Sequence, residues 1–251
     1  MVSATQKIFN RIKHQTGKAI GDFALIEEGD RIAVGVSGGK DSYTLLHILE
    51  ALRKKAPIKF ELIALNIDSG FPGYDKETIE QHLQQHHFNY VMAATNSYKI
   101  IEEKLRPGTS YCAFCARLRR GALYAQADKF DCNKIALGHH LDDFIETLLL
   151  NQFYGGTLAS MAAKLLADNG KQTVIRPLVY VEEAEIQEFS DLQKYPIVHC
   201  SCSVVGAEDQ KRQQMKQLVN DLAKDIPEIR NSMIGAIGNV HPQYLLDRKK
   251  N

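Results

Sequence analysis

Tryptophan is absent from this 251-residue chain, cysteine occurs only five times, and 31 basic side chains nearly cancel 30 acidic ones. The charge balance excludes a protein that coats nucleic acid by electrostatics alone, although it leaves room for a local basic patch. Without tryptophan, stacking on bases would fall to tyrosine, phenylalanine, histidine or arginine. No apolar run reaches the ~18 residues of a membrane-spanning helix, so we expect no membrane partner.

The first residues also lack the unbroken apolar block of a secretory signal, and this predicts a cytoplasmic location. In a reducing compartment, an odd number of cysteines favours metal ligands or sulfur chemistry over a disulfide framework. At roughly 150 residues per domain, the length predicts one large domain, alone or with an appendage.

Short apolar runs rich in valine and isoleucine alternate with segments of helical spacing up to about residue 180. This alternation predicts an α/β fold, with a mainly parallel, five-stranded sheet flanked by helices, as in Rossmann-like proteins. The expected strands are 31–37, 59–68, 88–95, 133–140 and 173–178.

The two ends of the chain have helical patterns instead. Ile8, Phe9 and Ile12 form the apolar stripe of an N-terminal helix, whose basic side is either a solvated face or a contact for RNA. After residue 180, three helical segments predict a C-terminal appendage. The predicted organisation is an N-terminal segment over 1–29, a sheet domain over 30–180 and a helical region over 181–251.

A glycine loop between the first strand and its helix is the most informative stretch. It comprises Ser37, Gly38, Gly39, Lys40, Asp41 and Ser42. Glycines let the backbone approach phosphate oxygens, and free N–H groups at a helix start favour an anion. The hydroxyls and the lysine add donors, and Asp41 is a candidate magnesium ligand or brace for the loop. The spacing fits neither a Walker A loop nor a dinucleotide fingerprint.

This stretch, AVGVSGGKDSYTLL, resembles the PP-loop of the N-type ATP pyrophosphatases. The resemblance implies ATP as a cosubstrate, with the loop holding the β- and γ-phosphates while attack at the α-phosphorus releases pyrophosphate and leaves an adenylated substrate. It also places Asp68, at the end of the second strand, near the adenosine.

Two groups of cysteines could provide three or four thiolates. Cys112 and Cys115 form a C-x-x-C pair, and Cys200 and Cys202 follow about 85 residues later. The C-x-x-C pair alone would also suit a redox pair or half a zinc site. Spacing favours structural zinc slightly over an iron–sulfur cluster held by three thiolates. Cys132 stands alone at the start of a strand, which predicts a core position.

Polar residues follow the fourth strand in LGHHLDD, at the kind of strand end where α/β sheets bind ligands. Gly138 and His139 are candidates for ATP binding. Asp142 and Asp143 are candidates for catalysis, because two carboxylates there can hold Mg²⁺ or orient a nucleophile. The alternative is that they cap the helix that follows and compensate its dipole.

Taken in order, the loop, the cysteines and this cluster resemble the TtcA family, the tRNA 2-thiocytidine synthetases. The matching stretches are IEEGDRIAVGVSGGKDSYTLL, CAFCARLRRGALY, KIALGHHLDDFIETLLLNQFYGG and VIRPLVY. Where the family has a second C-x-x-C, this chain has C-x-C. The resemblance therefore implies Cys202 or, as the second choice, Cys200 as the third ligand of the family's iron–sulfur cluster.

The resemblance implies thiolation of cytidine 32 in the tRNA anticodon loop with ATP, Mg²⁺ and a [4Fe-4S] cluster on Cys112, Cys115 and Cys202. Adenylation makes the C2 oxygen a good leaving group, and sulfide bound at the open iron then replaces it. A sulfur donor such as a cysteine desulfurase is a further implied partner, and a homodimer is left open. Arg117, Arg119 and Arg120 are candidates for RNA contact, or else for packing and salt bridges, and Arg176 is a weaker candidate.

Three alternatives stay open at this level. A tRNA 2-thiouridine synthetase would use the same ATP chemistry on another base. An amidating or lysidine-type synthetase would carry structural zinc in place of iron. An RNA-binding module with an inactive nucleotide site is the third, although the intact SGGKDS loop argues against it.

Overall fold

The computed structural model describes residues 3–105, 111–198 and 207–246. Within them the chain forms one sheet, flanked by helices. The strands are β1 (Arg31–Gly35), β2 (Glu61–Asp68), β3 (Tyr90–Ala94), β4 (Lys134–Ala136), β5 (Lys164–Leu166) and β6 (Thr173–Ile175). The helices are α1 (Ala4–Asp22), α2 (Lys40–Arg53), α3 (Lys76–Gln85), α4 (Ser97–Lys104), α5 (Tyr111–Lys129), α6 (Leu141–Gly155), α7 (Glu183–Gln193), α8 (Ala207–Asp225) and α9 (Ile229–Gly238). A short 3₁₀ helix spans Pro242–Tyr244.

The strand order is β3-β2-β1-β4-β6-β5, and every neighbouring pair is parallel except β5 and β6. Strands β2 and β3 lie on one side of β1, and β4, β6 and β5 lie on its other side, so the strand order reverses between β1 and β4. In open α/β sheets the crevice at such a reversal, beyond the carboxyl ends of the strands, is where ligands bind. The ends of β1 and β4 therefore mark the expected site.

The α/β class and the mainly parallel sheet are confirmed, but the expected number of five strands was wrong. The additional strand is β5. It has only three residues, all exposed, and pairs with β6 alone. A short exposed edge strand needs no apolar run or buried alternation, so its sequence carries no strand signal. Helix α4 was also missed.

Alternate residues of the strands enter two apolar clusters, as a pleated sheet requires. Ile32 and Val34 of β1 join the cluster that contains residues of α1, α2, α3 and α7. Ala33, between them, joins the other cluster, with Leu123 of α5. That second cluster also contains Cys132, which is 3% exposed, so the predicted core position is confirmed.

Contacts divide the chain into two units. The first contains residues 1–140 and 162–207, and the second contains 141–161 and 208–251. The second unit has its own apolar cluster, in which Leu141 and Ile145 of α6 pack with Met215 and Val219 of α8. The N-terminal helix and the three C-terminal helices predicted from the sequence are present, as α1, α7, α8 and α9. The contact units do not follow the predicted domain bounds, which stay a prediction.

Among the described residues, no helix has both the length and the apolar character that crossing a membrane requires.

Candidate active site

The glycine loop connects the end of β1 to the start of α2. Its hydroxyls bind the loop itself: Ser42 Oγ donates to the Gly39 carbonyl at 2.9 Å and accepts from the Ser37 N–H at 3.2 Å. Gly39 is the N-cap of α2 and has no side-chain cap. The loop is thereby held in shape by its own residues at a helix N-terminus, where N–H groups and the helix dipole favour an anion.

Gly38 is the position where this loop depends on residues from elsewhere in the chain. Its φ is +85°, and an added Cβ would lie 2.8 Å from Ile79 Cδ1 and 3.0 Å from Val198 Cβ. Its carbonyl accepts a hydrogen bond from the Val198 N–H at 3.0 Å. Both the backbone angle and the lack of space therefore require glycine.

The ammonium of Lys40 lies between two carboxylates. Its Nζ is 3.0 Å from Asp41 Oδ1 and 3.1 Å from Glu183 Oε1 on α7. Burial lowers the pKa of Lys40, but the two carboxylates outweigh it, and the pKa ends above its ordinary value. Lys40 therefore stays charged at neutral pH, and the loop holds one cation beside two anions.

The residues after β4 lie against the start of α2. A Cβ on Gly138 would come within 3.0 Å of the Asp41 carbonyl carbon and 3.2 Å of the Ser42 nitrogen. His140 Nε2 is 3.9 Å from Asp41 Oδ1. Strand β4 pairs directly with β1. The sheet thus brings Gly138 to the glycine loop, as the strand-order reversal leads one to expect.

His139 and Arg176 form a neighbouring pair in the same unit. The Nε of Arg176 donates to His139 Nδ1 at 3.3 Å, and its Nη1 donates to the Ala162 carbonyl at 2.5 Å. This bond links His139, four positions before Asp143, to the residue that follows β6, so the ends of β4 and β6 are joined here.

Asp68 shapes the turn after β2. Its Oδ1 accepts from the Gly70 N–H at 2.8 Å, and its Oδ2 is 3.8 Å from Lys76 Nζ. An acceptor at this sheet edge suits a ribose hydroxyl, but the observed contacts also account for Asp68 as a turn residue.

Asp142 and Asp143 lie in the first turn of α6, in the second unit. The side chain of Asp142 is only 8% exposed, and Arg230 Nε of α9 donates to its Oδ1 at 2.7 Å. Arg212 Nη1 of α8 lies 3.5 Å from Asp143 Oδ1 and 3.2 Å from Glu146 Oε2. Each acidic residue is thus matched by an arginine from a C-terminal helix.

Cys112 and Cys115 lie three residues apart in the first turns of α5, and both are half-buried. Residues at this spacing share one face of a helix, so both thiols can bind the same metal or cluster. Cys200 and Cys202 lie outside the described residues. The donor set known from the structure is therefore two thiols on one helix face, which fits part of a cluster site.

Arg117, Arg119 and Arg120 follow the cysteine pair on α5, and all three are exposed. Among the described residues, no salt bridge or hydrogen bond engages their side chains. The predicted alternative of salt bridges beside the helix thus finds no support in the described part of the chain, and the three charges face solvent.

Sequence reasoning missed three groups around these residues. Glu183 pairs with Lys40, and Arg230 pairs with Asp142, yet neither stands near its partner in the chain. Asn66 is fully buried in β2 and donates to the Val36 carbonyl at 2.8 Å, just before the loop. A polar residue inside the apolar run LIALNID was the one signal that could have revealed Asn66 as a brace.

Known proteins resemble this chain over nearly its whole length. A family model described as a PP-loop domain matches residues 6–199. The tRNA-cytidine(32) 2-sulfurtransferase of Syntrophotalea carbinolica is 62% identical over 241 residues, covering 96% of this chain and 93% of that protein. The chain belongs to the tRNA-cytidine(32) 2-sulfurtransferase family. Its relative from Geotalea uraniireducens is 57% identical over 249 residues, with 99% of both proteins covered.

Solved structures show the family's fold in more distant proteins. The U34-tRNA thiolase NcsA from Methanococcus maripaludis, solved with its [4Fe-4S] cluster, superposes with a TM-score of 0.76 at 20% identity, covering 93% of this chain and 78% of that one. The NH3-dependent NAD synthetase of Campylobacter jejuni gives a TM-score of 0.51 at 15% identity, covering 96% and 95%. The fold is therefore shared by enzymes with different chemistry, so it does not select the reaction.

Proposed function

We propose that this chain is an ATP-dependent tRNA sulfurtransferase that converts a cytidine of tRNA, at position 32, to 2-thiocytidine. The curated relatives carry that name over nearly their whole length. The single structural observation that carries the proposal is the glycine loop at the strand-order reversal, where a Cβ added at Gly38 or Gly138 would lie only 2.8 or 3.0 Å from the nearest atom. In the same unit, α5 presents two thiols on one face.

The loop's part is to bind the β- and γ-phosphates of ATP, leaving the α-phosphorus open to attack. Backbone N–H groups at the start of α2 and the hydroxyls of Ser37 and Ser42 are the donors, and Lys40 supplies charge. Attack by the cytidine C2 oxygen then forms a bond to the α-phosphorus and releases pyrophosphate. The C2 oxygen, now part of an AMP ester, leaves far more easily than it would as a carbonyl oxygen.

Magnesium fits the loop's electrostatics. Asp41 and Glu183 both lie within 3.1 Å of Lys40 Nζ. A polyphosphate beside these carboxylates would be repelled by more negative charge than one lysine can offset. Oxygen ligands are what Mg²⁺ prefers, so Asp41 is the residue we assign to it, with Asp142 or Asp143 as the further candidates.

The thiols of Cys112 and Cys115, with Cys202 or Cys200, are the residues we assign to a [4Fe-4S] cluster. Once bound, the cluster would supply a place to deliver sulfur to the activated base. Addition of sulfur at C2 expels AMP, which carries away the former C2 oxygen. The sulfur itself must come from a donor, for which a cysteine desulfurase has the required chemistry.

The RNA-binding surface we assign is the exposed stretch of α5 that carries Arg117, Arg119 and Arg120. Charges on this surface suit phosphate contacts, and a base in an anticodon loop is unpaired, so reaching its edge needs little melting. The cytoplasmic location and the homodimer stay predictions.

One experiment separates the two half-reactions. We expect Lys40→Gln to lower pyrophosphate release in the presence of tRNA by about 100-fold, since it removes a charge from the phosphate site. Cys112→Ser should keep tRNA-dependent pyrophosphate release but abolish 2-thiocytidine, measured by mass spectrometry of tRNA nucleosides after reaction under anaerobic conditions.

The matched controls are Lys54→Gln, at the other end of α2, and Cys132→Ala, in the core. Both should keep thiolation. Formation of 2-thiouridine would indicate a different base as substrate. One zinc and no iron per anaerobically purified chain, without thiolated product, would instead point to an adenylating synthetase and contradict the sulfur transfer proposed here.

A further inference from the structure

Three histidines form a cluster that the proposed reaction does not use. His47 lies on α2, His82 near the end of α3, and His86 is the residue that ends α3. The ligand nitrogens of all three lie within 4.8 Å of one another, and the Nε2 atoms of His47 and His82 are 3.0 Å apart. His82 and His86 are four residues apart, the spacing at which two histidines on one helix face bind zinc in other proteins.

These distances are close to those of a metal site. Two imidazole nitrogens bound to one tetrahedral zinc, at about 2.0–2.1 Å each, lie about 3.3–3.4 Å apart. The His47–His82 contact is a hydrogen bond between the two Nε2 atoms, so on binding the ion the shared proton would move to Nδ1 and the pair would open by a few tenths of an ångström. The widest separation is at most 4.8 Å and would close by up to about 1.5 Å, and His86 is exposed, so its ring has room to rotate.

The surroundings are apolar and aromatic. Tyr43 contacts His82 with ring centroids 4.5 Å apart, Phe88 contacts His47 at 5.0 Å, and Tyr195 stacks on His47 at 5.2 Å. Burial, followed by the neighbouring imidazoles, lowers the pKa of His47 to about 3 and that of His82 to about 4. Both rings are thus neutral near pH 7, the form in which a ring nitrogen can bind a metal.

We propose that His47, His82 and His86 bind a Zn²⁺ ion that joins α2 to α3. The donor set favours a transition metal such as zinc, because imidazole nitrogens suit such ions whereas Mg²⁺ takes oxygen ligands and iron–sulfur clusters take thiolates. His82 is buried, His47 is half-buried and His86 is exposed. The ion can therefore enter from the surface and keep a water as its fourth ligand.

The ion's effect is structural. Helix α2 begins at Lys40 of the glycine loop, and α3 carries Ile79, which lies where a side chain on Gly38 would be. His82 follows Ile79 by three residues, less than one turn of α3. Zinc bound between His47 and His82 therefore holds together the two helices that support the loop, and it should raise the thermal stability of the protein.

The test uses the untagged full-length chain, with its iron–sulfur cluster assembled anaerobically so that the cysteines are occupied. The protein is dialysed against buffered Zn²⁺, the bound zinc is counted by elemental mass spectrometry, and its ligands are identified by X-ray absorption at the zinc edge. We expect one zinc per chain with nitrogen and oxygen ligands only, and a higher melting temperature with zinc than without it.

Two variants remove a ligand and one serves as the control. His86→Ala and His82→Gln should weaken zinc binding about tenfold or more and abolish the thermal shift. His14→Ala removes an exposed histidine of α1 and should change neither. The proposal is overturned by zinc that is absent, by zinc with sulfur ligands, or by zinc bound equally well to His86→Ala. None of these readouts uses activity, so failure of the zinc proposal leaves the proposed thiolation standing as long as the chain keeps its iron.

Discussion

The glycine loop and the acidic pair of α6 both follow a strand of the same sheet, yet they are stabilised in opposite ways. The loop's serines bond to backbone and side chains within residues 37–42. Asp142 and Asp143 are instead paired with Arg230 and Arg212, about 70–90 residues later in the chain. A motif whose hydrogen bonds form within a few residues can be recognised in the sequence. An ion pair between residues far apart in the chain cannot.

The largest effect on stability is expected when the arginine that pairs with Asp142 is removed. Arg230→Ala takes away a charge-assisted bond to a carboxylate that is only 8% exposed. We expect the free energy of unfolding to fall by about 2–3 kcal/mol, since a bond to a buried charge is lost. Urea denaturation measures the change.

Arg53→Ala is the control for that loss. It removes an arginine that pairs with Glu50 at the surface, and it should cost less than about 1 kcal/mol. Combining Arg230→Ala with Asp142→Asn should recover part of the stability. Equal losses for the Arg230 and Arg53 variants would show that the buried pair contributes no more than a surface one.

A substitution inside the glycine loop should lower the free energy of unfolding by less than Arg230→Ala does. Gly38→Ala places a Cβ at φ +85° against Ile79 and Val198. We expect a loss of about 1–2 kcal/mol in unfolding free energy from the left-handed backbone alone, with additional loss of pyrophosphate release. Thermal unfolding and a pyrophosphate assay measure the two effects.

Gly39→Ala is the matched control for stability. Its φ is −84°, and the nearest atom to an added Cβ is Ser37 Oγ at 3.5 Å. Alanine is a poorer N-cap than glycine, so we expect the unfolding free energy to fall by less than about 1 kcal/mol. Stability lost equally in both variants would mean that Gly38 is not constrained by Ile79 and Val198 in the way the geometry indicates.

The smallest effect is expected at charges that belong to neither region. Arg119→Gln and Arg120→Gln should each weaken tRNA binding a few-fold and reduce the salt dependence of log Kd by about one unit or less per residue, as the loss of one phosphate contact does. Binding measured across a salt series tests this. Gln187→Ala, an uncharged substitution on α7, should leave the slope unchanged, and an unaltered slope in the arginine variants would remove α5 from the RNA surface.

Five parallel strands, most of their helices and the glycine loop could be predicted from the sequence, because each has a local pattern. Apolar runs and glycine spacing are visible in a single stretch of residues. Strand β5 and helix α4 could not be predicted: β5 is three exposed residues, stabilised by pairing with β6. The histidine cluster went unnoticed too, since His47 and His82 are 35 residues apart and meet only through packing of α2 on α3.

The sequence by itself determined the α/β class, the glycine loop between β1 and α2 and the cysteine pair on one helix, because these depend on spacing over a few residues. Tertiary structure decided which partners those residues have: Glu183 beside Lys40, Ile79 over Gly38, Gly138 against Asp41 and Arg230 on Asp142. The reason is physical. Close approach and charge pairing act over a few ångströms in space, and only the folded chain brings residues so far apart in sequence within that range.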